Sequence, residues 1–370
     1  MKLLLENWRK YLAENKDPRP LFKKAKIKPY MDLGLFLEGG NVFAGKTSGI
    51  PREYIQPTLD RYYAELERLF PGKGEVFESF RPLGSVGKKD VSGDIDLAGD
   101  AARFFPNGEV TGAELEGWNI DPESWEATFD RFKLRARSRT DAELGWRAFL
   151  FEVASYINEN SPLIFADTKK VGPGIMFSLF PQFNEEGETQ PSSVQIDWMV
   201  GNIDWLEFSY YSDPPSAEDE FLKGLHRTQL MLAMFLIKDI SYHHLSGLKD
   251  RNTKEFITAD PQEVIAMLGK LYSAPLERSD TNNFHSLYGW LQQAATDEEF
   301  KAAVGAYLKI LDSTKSVNIE SEASGETVAC GYIPRELEEF WILHHEEFGL
   351  KGRYICKETN EKIWNYLNGT

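Results

Sequence analysis

Two carboxylates stand two residues apart in an apolar setting, in the run Asp94-Ile95-Asp96-Leu97. In an extended strand, residues i and i+2 project from the same face. Two carboxylates on one face of a half-buried strand repel each other and destabilise it unless something positive lies between them. A divalent cation is the usual answer. Mg2+ (or Mn2+) takes oxygen ligands and keeps open positions for phosphate and water. Upstream, Gly84-Ser85 follows an apolar stretch and opens a turn. Glycine lets the backbone approach a ligand closely, and exposed N–H groups with a hydroxyl can hold a phosphate. Lys88 and Lys89 lie in the same loop and can add positive charge there. A third carboxylate, Asp197, lies between Ile196 and Trp198 in the apolar run SVQIDWMV, an unusual place for a charge without a task. The plainer alternative is that Ser92-Gly93-Asp94 is a polar turn and Asp197 is hydrogen-bonded at a strand end.

Leu83-Gly84-Ser85 followed by Asp94-Ile95-Asp96-Leu97 resembles the signature of the DNA-polymerase-β-like nucleotidyltransferase superfamily: an apolar residue, Gly, Gly or Ser, a spacer, then two acidic residues one apart with apolar flanks. The resemblance spans roughly residues 55–205. It implies that Gly84 and Ser85 contact nucleotide phosphates, that Asp94 and Asp96 bind both metals, and that Asp197 binds the catalytic metal and helps activate the attacking hydroxyl. It also implies an insertion between Asp96 and Asp197. The segment GSVGKKDVSGDIDLAGD, with GGNVF upstream, also looks like uncharacterised phage-encoded members. The activity so implied is transfer of an NMP group from an NTP to a hydroxyl acceptor, an RNA 3′ end or a small nucleotide, with release of pyrophosphate. A protein acceptor, as for a toxin-like enzyme, is the alternative within the same chemistry.

A rival lies upstream. Gly40-Asn-Val-Phe-Ala-Gly45-Lys46-Thr47 matches the P-loop pattern letter for letter. That motif needs a helix opening at the Lys-Thr pair, and Ser48-Gly49-Ile50-Pro51 opposes one. Lys169-Lys170 precede Val171-Gly-Pro-Gly174 and can neutralise triphosphate or an RNA backbone, or form a solvated pair. Alternating basic residues from Arg131 to Arg139 would share one face if extended, a candidate acceptor contact, though a solvated face is the plainer reading. His344-His345-Glu346-Glu347 reads poorly as zinc ligands, because neighbours on a helix point about 100° apart. His226-Arg227 reads as a helix-surface pair that could face a nucleotide. Trp205, Phe208, Tyr210 and Tyr211 read as packing, with base stacking as the alternative.

The elements that must position these residues are predicted as α+β. A mixed or antiparallel sheet of nucleotidyltransferase type, flanked by helices, carries the site, and an all-helical C-terminal region follows. The expected divisions are an arm at 1–50, a catalytic domain at 51–215 and a helical domain at 216–370. The arm carries a short amphipathic helix and basic Lys23, Lys24, Lys26 and Lys28. Pro57 is expected to open a helix with Leu59, Tyr62, Leu66 and Leu69 on one face. VFESFRPLGS reads as a strand running into the Gly-Ser turn. IMFSLFPQF and SVQIDWMV read as a hairpin. Ser216 with Asp219, Asp260-Pro261, Thr296 with Glu299, and Pro334 are expected helix starts.

Composition bounds the partners. The 370 residues are 42% hydrophobic and 27% charged, enough to fill a core, with a formal net charge of -16. So acidic a chain is not expected to grip long DNA; a tRNA-sized RNA or a protein remains open as acceptor beside the NTP. No apolar run approaches the ~20 residues that span a bilayer. Cys330 and Cys356, with no CxxC pair, read as reduced thiols of a cytoplasmic protein rather than a disulfide.

Overall fold

The computed structural model describes residues 42–43, 46–84, 86–106, 110, 112–136, 139–211, 213, 221–315, 317–320 and 327–369. The expected N-terminal helix, the lysines at 23–28, Ser85 and the Ser216 cap lie outside them. The described chain is mixed α and β, and no helix in it is long and apolar enough to cross a membrane. It divides into two compact units, Glu38–Thr228 with Tyr242–Met267, and Gln229–Ser241 with Leu268 onward.

The first unit opens with a short strand β1 (Ile50–Pro51) and helix α1 (Arg52–Leu69). Pro51, not Pro57, caps α1, so Pro57 lies inside the helix. The expected face holds: Leu59, Tyr62, Leu66 and Leu69 are all buried. Next comes α2 (Gly74–Glu78), where a strand is expected from Val76-Phe77-Glu78. The strand β2 is confined to Arg81–Pro82. Val76 and Phe77 are buried in the core from one helical turn, so their apolar character reflects packing rather than strand period. Strands β3 (Val91–Ser92) and β4 (Ile95–Asp100) follow. Then come helices α3 (Ala101–Phe104), α4 (Gly112–Glu116), α5 (Pro122–Arg135) and α6 (Asp141–Asn160), strand β5 (Phe165–Ala166), and the hairpin β6 (Ile175–Phe183) and β7 (Thr189–Gly201).

Local chemistry explains the helix starts. Asp121 caps α5 by accepting the Ser124 N–H, with Pro122 at the first helical position. Thr140 and Glu143 form a capping box on α6. Because Arg131, Lys133 and Arg135 lie on α5, alternate positions do not share a face. Lys133 pairs with Asp141 at 2.9 Å, and the Arg131 guanidinium covers the Phe151 ring.

Five strands make one mixed sheet in the order β2-β4-β7-β6-β5. β4 and β7 are parallel; the other neighbours are antiparallel. Period-two alternation divides its faces. Ile95 and Leu97 of β4, Val194, Ile196, Trp198 and Val200 of β7, and Met176 and Phe180 of β6 enter one core with the apolar faces of α1 and α6. Within that core the Trp198 indole N–H donates to Tyr62 Oη at 2.9 Å, Tyr62 Oη meets Ser178 Oγ at 2.8 Å, and Ser178 Oγ donates to the Ile196 carbonyl at 2.9 Å. This chain locks β7 against β6 and α1 from behind, leaving the other face for Asp96 and Asp197.

After β7 come α7 (Ile203–Ser209) and α8 (Gly224–Leu236). His226 and Arg227 are buried rather than on a surface, and Arg227 Nη1 donates to the Phe208 carbonyl at 2.7 Å. The C-terminal part is not all-helical. Strands β8 (Ile240–His243), β9 (Gly247–Asp250) and β10 (Phe256–Thr258) form a three-stranded sheet. Gly247 sits at φ +91, where a Cβ would lie 2.3 Å from the Thr258 carbonyl oxygen, so only glycine fits. Helices α9 (Pro261–Leu271), α10 (Phe284–Ala294) and α11 (Asp297–Leu311) follow, the last with the expected Thr296–Glu299 capping box. An antiparallel pair, β11 (Val317–Glu320) and β12 (Thr327–Cys330), comes before α12 (Glu338–Phe348) and α13 (Glu361–Asn368). These strands are three or four residues long, too short for alternation to stand out in the sequence.

The cysteines also differ from expectation. Cys330 and Cys356 are joined in a disulfide across a separation of 26 residues. A bridge between Gly331 and Ile355 brings the two segments side by side, a tertiary pairing with no signature in cysteine spacing. A cross-link closing a loop of that size restricts the unfolded chain. Cys356→Ser is therefore expected to lower unfolding stability by about 2–4 kcal/mol. Urea titration of the oxidised protein checks this, and reductant should bring the wild type down to the variant's curve.

Candidate metal centre

β4 and β7 pair in parallel with Asp96 directly opposite Asp197. Asp94 lies in the bend just before β4, on the same side by period two. One carboxylate oxygen from each of Asp94, Asp96 and Asp197 falls within 4.8 Å of the others. Among the described residues this is the group of metal-ligating side chains that converges. Three residues read from the sequence over a span of more than a hundred positions therefore form one cluster.

The electrostatics say what the cluster lacks. Asp197 is 2% exposed, and its Oδ1 is buried with no hydrogen-bond donor. Burial, then the neighbouring Asp94, holds the Asp96 carboxyl well above the usual carboxylate range. Burial, then Asp96 and Asp94, does the same to Asp197, against a smaller opposing pull from Gln195. Three converging carboxylates, one buried and two half-buried, and an orphaned oxygen call for a cation, and an all-oxygen donor set suits Mg2+ or Mn2+.

Two neighbours complete the first ring of contacts. Gly84, at φ +60, turns the chain beside Asp96; a Cβ there would lie 3.9 Å from Asp96 Oδ2 and 3.9 Å from the Tyr210 carbonyl oxygen. Gln195, on the same face of β7, donates Nε2 to Asp197 Oδ2 at 2.8 Å. Its Oε1 accepts the Val42 N–H at 3.2 Å. Gln195 thus holds one oxygen of Asp197 and leaves Oδ1 for the site. A glutamine in an apolar strand, two residues from a buried aspartate, was the signal for it in the sequence. The Tyr210 phenol is held far above its ordinary range by burial, and then by Asp96, Tyr242 and Asp197. It is therefore a neutral donor beside the carboxylates, and its ring meets His244 edge-on at 5.7 Å. Trp205 and Phe208 are packed in the interior.

The predicted lysines divide. The Lys88 ammonium lies 5.2 Å from the Tyr211 ring centroid, next to the Tyr210 turn that adjoins Gly84. The Lys89 carbonyl accepts from Arg52 Nε. Lys169 and Lys170 are exposed in the loop between β5 and β6, where Lys170 Nζ reaches the Val42 carbonyl at 3.3 Å. The P-loop reading fails in the described residues. Lys46 is in a bend, Thr47–Gly49 are irregular, and Ile50–Pro51 form a strand, so no helix opens to receive phosphate. His344 Nδ1 lies 3.3 Å from Glu347 Oε2, and His345 Nδ1 lies at the Ile342 carbonyl, an arrangement of helix neighbours.

Two outcomes follow from this electrostatic picture. A carboxyl whose folded pKa lies above its unfolded value binds its proton more tightly in the folded chain. Asp96 and Asp197 therefore contribute stability to the metal-free protein that is full below the ordinary carboxylate range and is lost as pH rises through it towards their raised folded values, opposite in sign to the contribution of carboxylates such as Glu65 and Glu143, which are held below their ordinary range. Asp197→Asn should flatten that loss and stabilise the metal-free protein at neutral pH by about 1–3 kcal/mol. Thermal melts in chelator across pH measure both. Gln195→Leu frees the oxygen that Gln195 holds, and should weaken Mn2+-induced thermal stabilisation by roughly 10–100-fold in apparent affinity. An unchanged Mn2+ titration would remove that role.

Compared with known proteins, the chain matches no protein-family model, and no curated protein matches it.

Proposed function

We propose that the protein is a metal-dependent nucleotidyltransferase that moves an NMP group from an NTP to a hydroxyl acceptor. The observation that carries this reading is the convergence of Asp94, Asp96 and Asp197, with the orphaned Asp197 Oδ1 among them. In the reaction the acceptor hydroxyl releases its proton to solvent, its oxygen bonds to the α-phosphorus, the bond from that phosphorus to the bridging oxygen of the β-phosphate breaks, and pyrophosphate leaves. Asp94 and Asp96 would hold both ions and Asp197 the one on the acceptor side. When bound, Mg2+ or Mn2+ supplies neutralising charge to the phosphates and lowers the pKa of the acceptor hydroxyl.

The protein's own groups position and neutralise. The backbone at Gly84 turns beside Asp96 with no side chain in the way, which supports a phosphate lying against it. Lys88, on the Tyr211 side of that turn, can offset triphosphate charge. Core packing behind β7 fixes Asp197 so that little reorganisation is required of it.

Incubation with each α-labelled NTP and Mg2+ or Mn2+, with total RNA, a mononucleotide or lysate protein as acceptor, tests the reading. Label should pass to one acceptor class, and Asp94→Asn or Asp96→Asn should slow transfer by ~10³-fold, about 4 kcal/mol of transition-state stabilisation. Equal labelling by the Asp94→Asn/Asp96→Asn double variant would sink it. Transfer to lysate protein alone would move the acceptor class from RNA to protein.

A further inference from the structure

The chain carries a net charge of -16, yet one stretch of the first unit gathers cations. The segment 165–171 runs back along α6 between two anchors. At one end the Asn158 side chain bonds both backbone groups of Ala166, at 2.9 and 2.8 Å. At the other, Arg147 Nε donates to the Val171 carbonyl at 3.0 Å. The anchors lie roughly 16 Å apart along the helix at about 1.5 Å rise per residue. Exposed Lys169 and Lys170 stand between them. At the Arg147 end, the Arg147 and Arg131 guanidinium groups lie 4.2 and 5.3 Å from the same Phe132 ring centroid, so two like charges stand close together there. At the other end Phe165, on the edge strand β5, is 51% exposed. The Phe43 ring meets it edge-on at 6.0 Å, and Lys46 Nζ lies 6.0 Å from its centroid. Asp167, the carboxylate within the segment, is engaged by the backbone N–H groups of Lys169 and Lys170 at 2.7 and 3.1 Å.

A relay of hydrogen bonds links the middle of this stripe to the carboxylates. Lys170 Nζ bonds the Val42 carbonyl, the Val42 N–H bonds Gln195, and Gln195 bonds Asp197. Crowded cations with an exposed ring match a single strand of nucleic acid, whose phosphates take the charges and whose bases stack on aromatic faces. An acidic peptide would satisfy the charges and leave the ring without a role.

We propose that this stripe binds the acceptor of the transfer reaction and that the acceptor is a single-stranded polynucleotide, its backbone following Lys169, Lys170 and the Arg147 cluster and a base stacked on Phe165. The word acceptor rests on the nucleotidyltransferase reading; the binding face does not.

The test is fluorescence anisotropy of labelled oligoadenylate of about 12 nucleotides, as RNA and as DNA, with full-length Asp94→Asn/Asp96→Asn protein so that no transfer intervenes. Binding should weaken steeply from about 50 to 200 mM salt. Lys169→Glu and Lys46→Glu should each weaken it and lower the salt slope by about 1. Phe165→Ala should weaken it about 5- to 100-fold with the slope unchanged. These side chains are exposed, so melting curves should stay at the parent's; Lys169→Gln and Phe165→Leu replace any variant that fails to fold. A preference for RNA or for DNA names the acceptor's sugar, and either supports the proposal. Salt-independent binding, no binding, variants that bind like the parent, or displacement by oligoglutamate at equal charge would overturn it. Binding without label transfer by the wild type would fell the catalytic reading and leave the binding face. Transfer to mononucleotides without oligonucleotide binding would fell the binding face alone.

Discussion

Asp96 and Asp197 face one another across a parallel strand pair, Asp197 buried and Asp96 half-buried. Like charges at that spacing are costly in a low-dielectric setting. The surrounding structure is arranged to keep them there. On the reverse face of the sheet, Trp198, Tyr62 and Ser178 bond in sequence within a dense aromatic core, so β7 cannot rotate to relieve the repulsion. On the near face Gln195 secures one oxygen of Asp197 and Gly84 brings backbone to Asp96 without adding bulk. Such strain, maintained by packing elsewhere, is the ordinary signature of a site built for a partner that supplies the missing charge.

Much of the cluster was legible because strand geometry is short-range. Asp94 and Asp96, two apart with Ile95 and Leu97 between and after them, suggested a shared face if extended; β4 carries Asp96, and Asp94 joins it from the bend just before the strand. Asp197 between Ile196 and Trp198 carried the same message on β7. That these two strands are neighbours is a tertiary fact that the resemblance implied and local pattern could not. The elements misread failed for related reasons. Val76-Phe77 is apolar in either helix or strand, and its length decides nothing. Pro57 looks like a helix start, yet α1 begins at Arg52 because Pro51 already supplies the extended cap. The short strands after residue 240 and the Cys330–Cys356 bond depend on partners distant in the chain.

The described residues between 42 and 50 are engaged with the first unit. The Val42 N–H reaches Gln195, Gln182 Nε2 donates to the Ser48 and Gly49 carbonyls, and Ile50 pairs with Ser92. They border β6 and β7 and touch the loop leading into Asp94. Val42, within the sequence that imitates a P-loop, thereby helps to hold Gln195 beside Asp197.

The pairing of Asp96 with Asp197 also bears on how the chain reaches its native state. The two residues lie about a hundred positions apart, and helices α3 to α6 intervene. Parallel pairing over such a distance must wait until the intervening helices are compact enough to bring the strands together. Repulsion between the carboxylates is absent while they are apart and rises only as the strands close. The charge conflict is thus confined to the final approach, where it opposes closure. A divalent ion captured at that moment would speed the last step of folding as well as occupy its product.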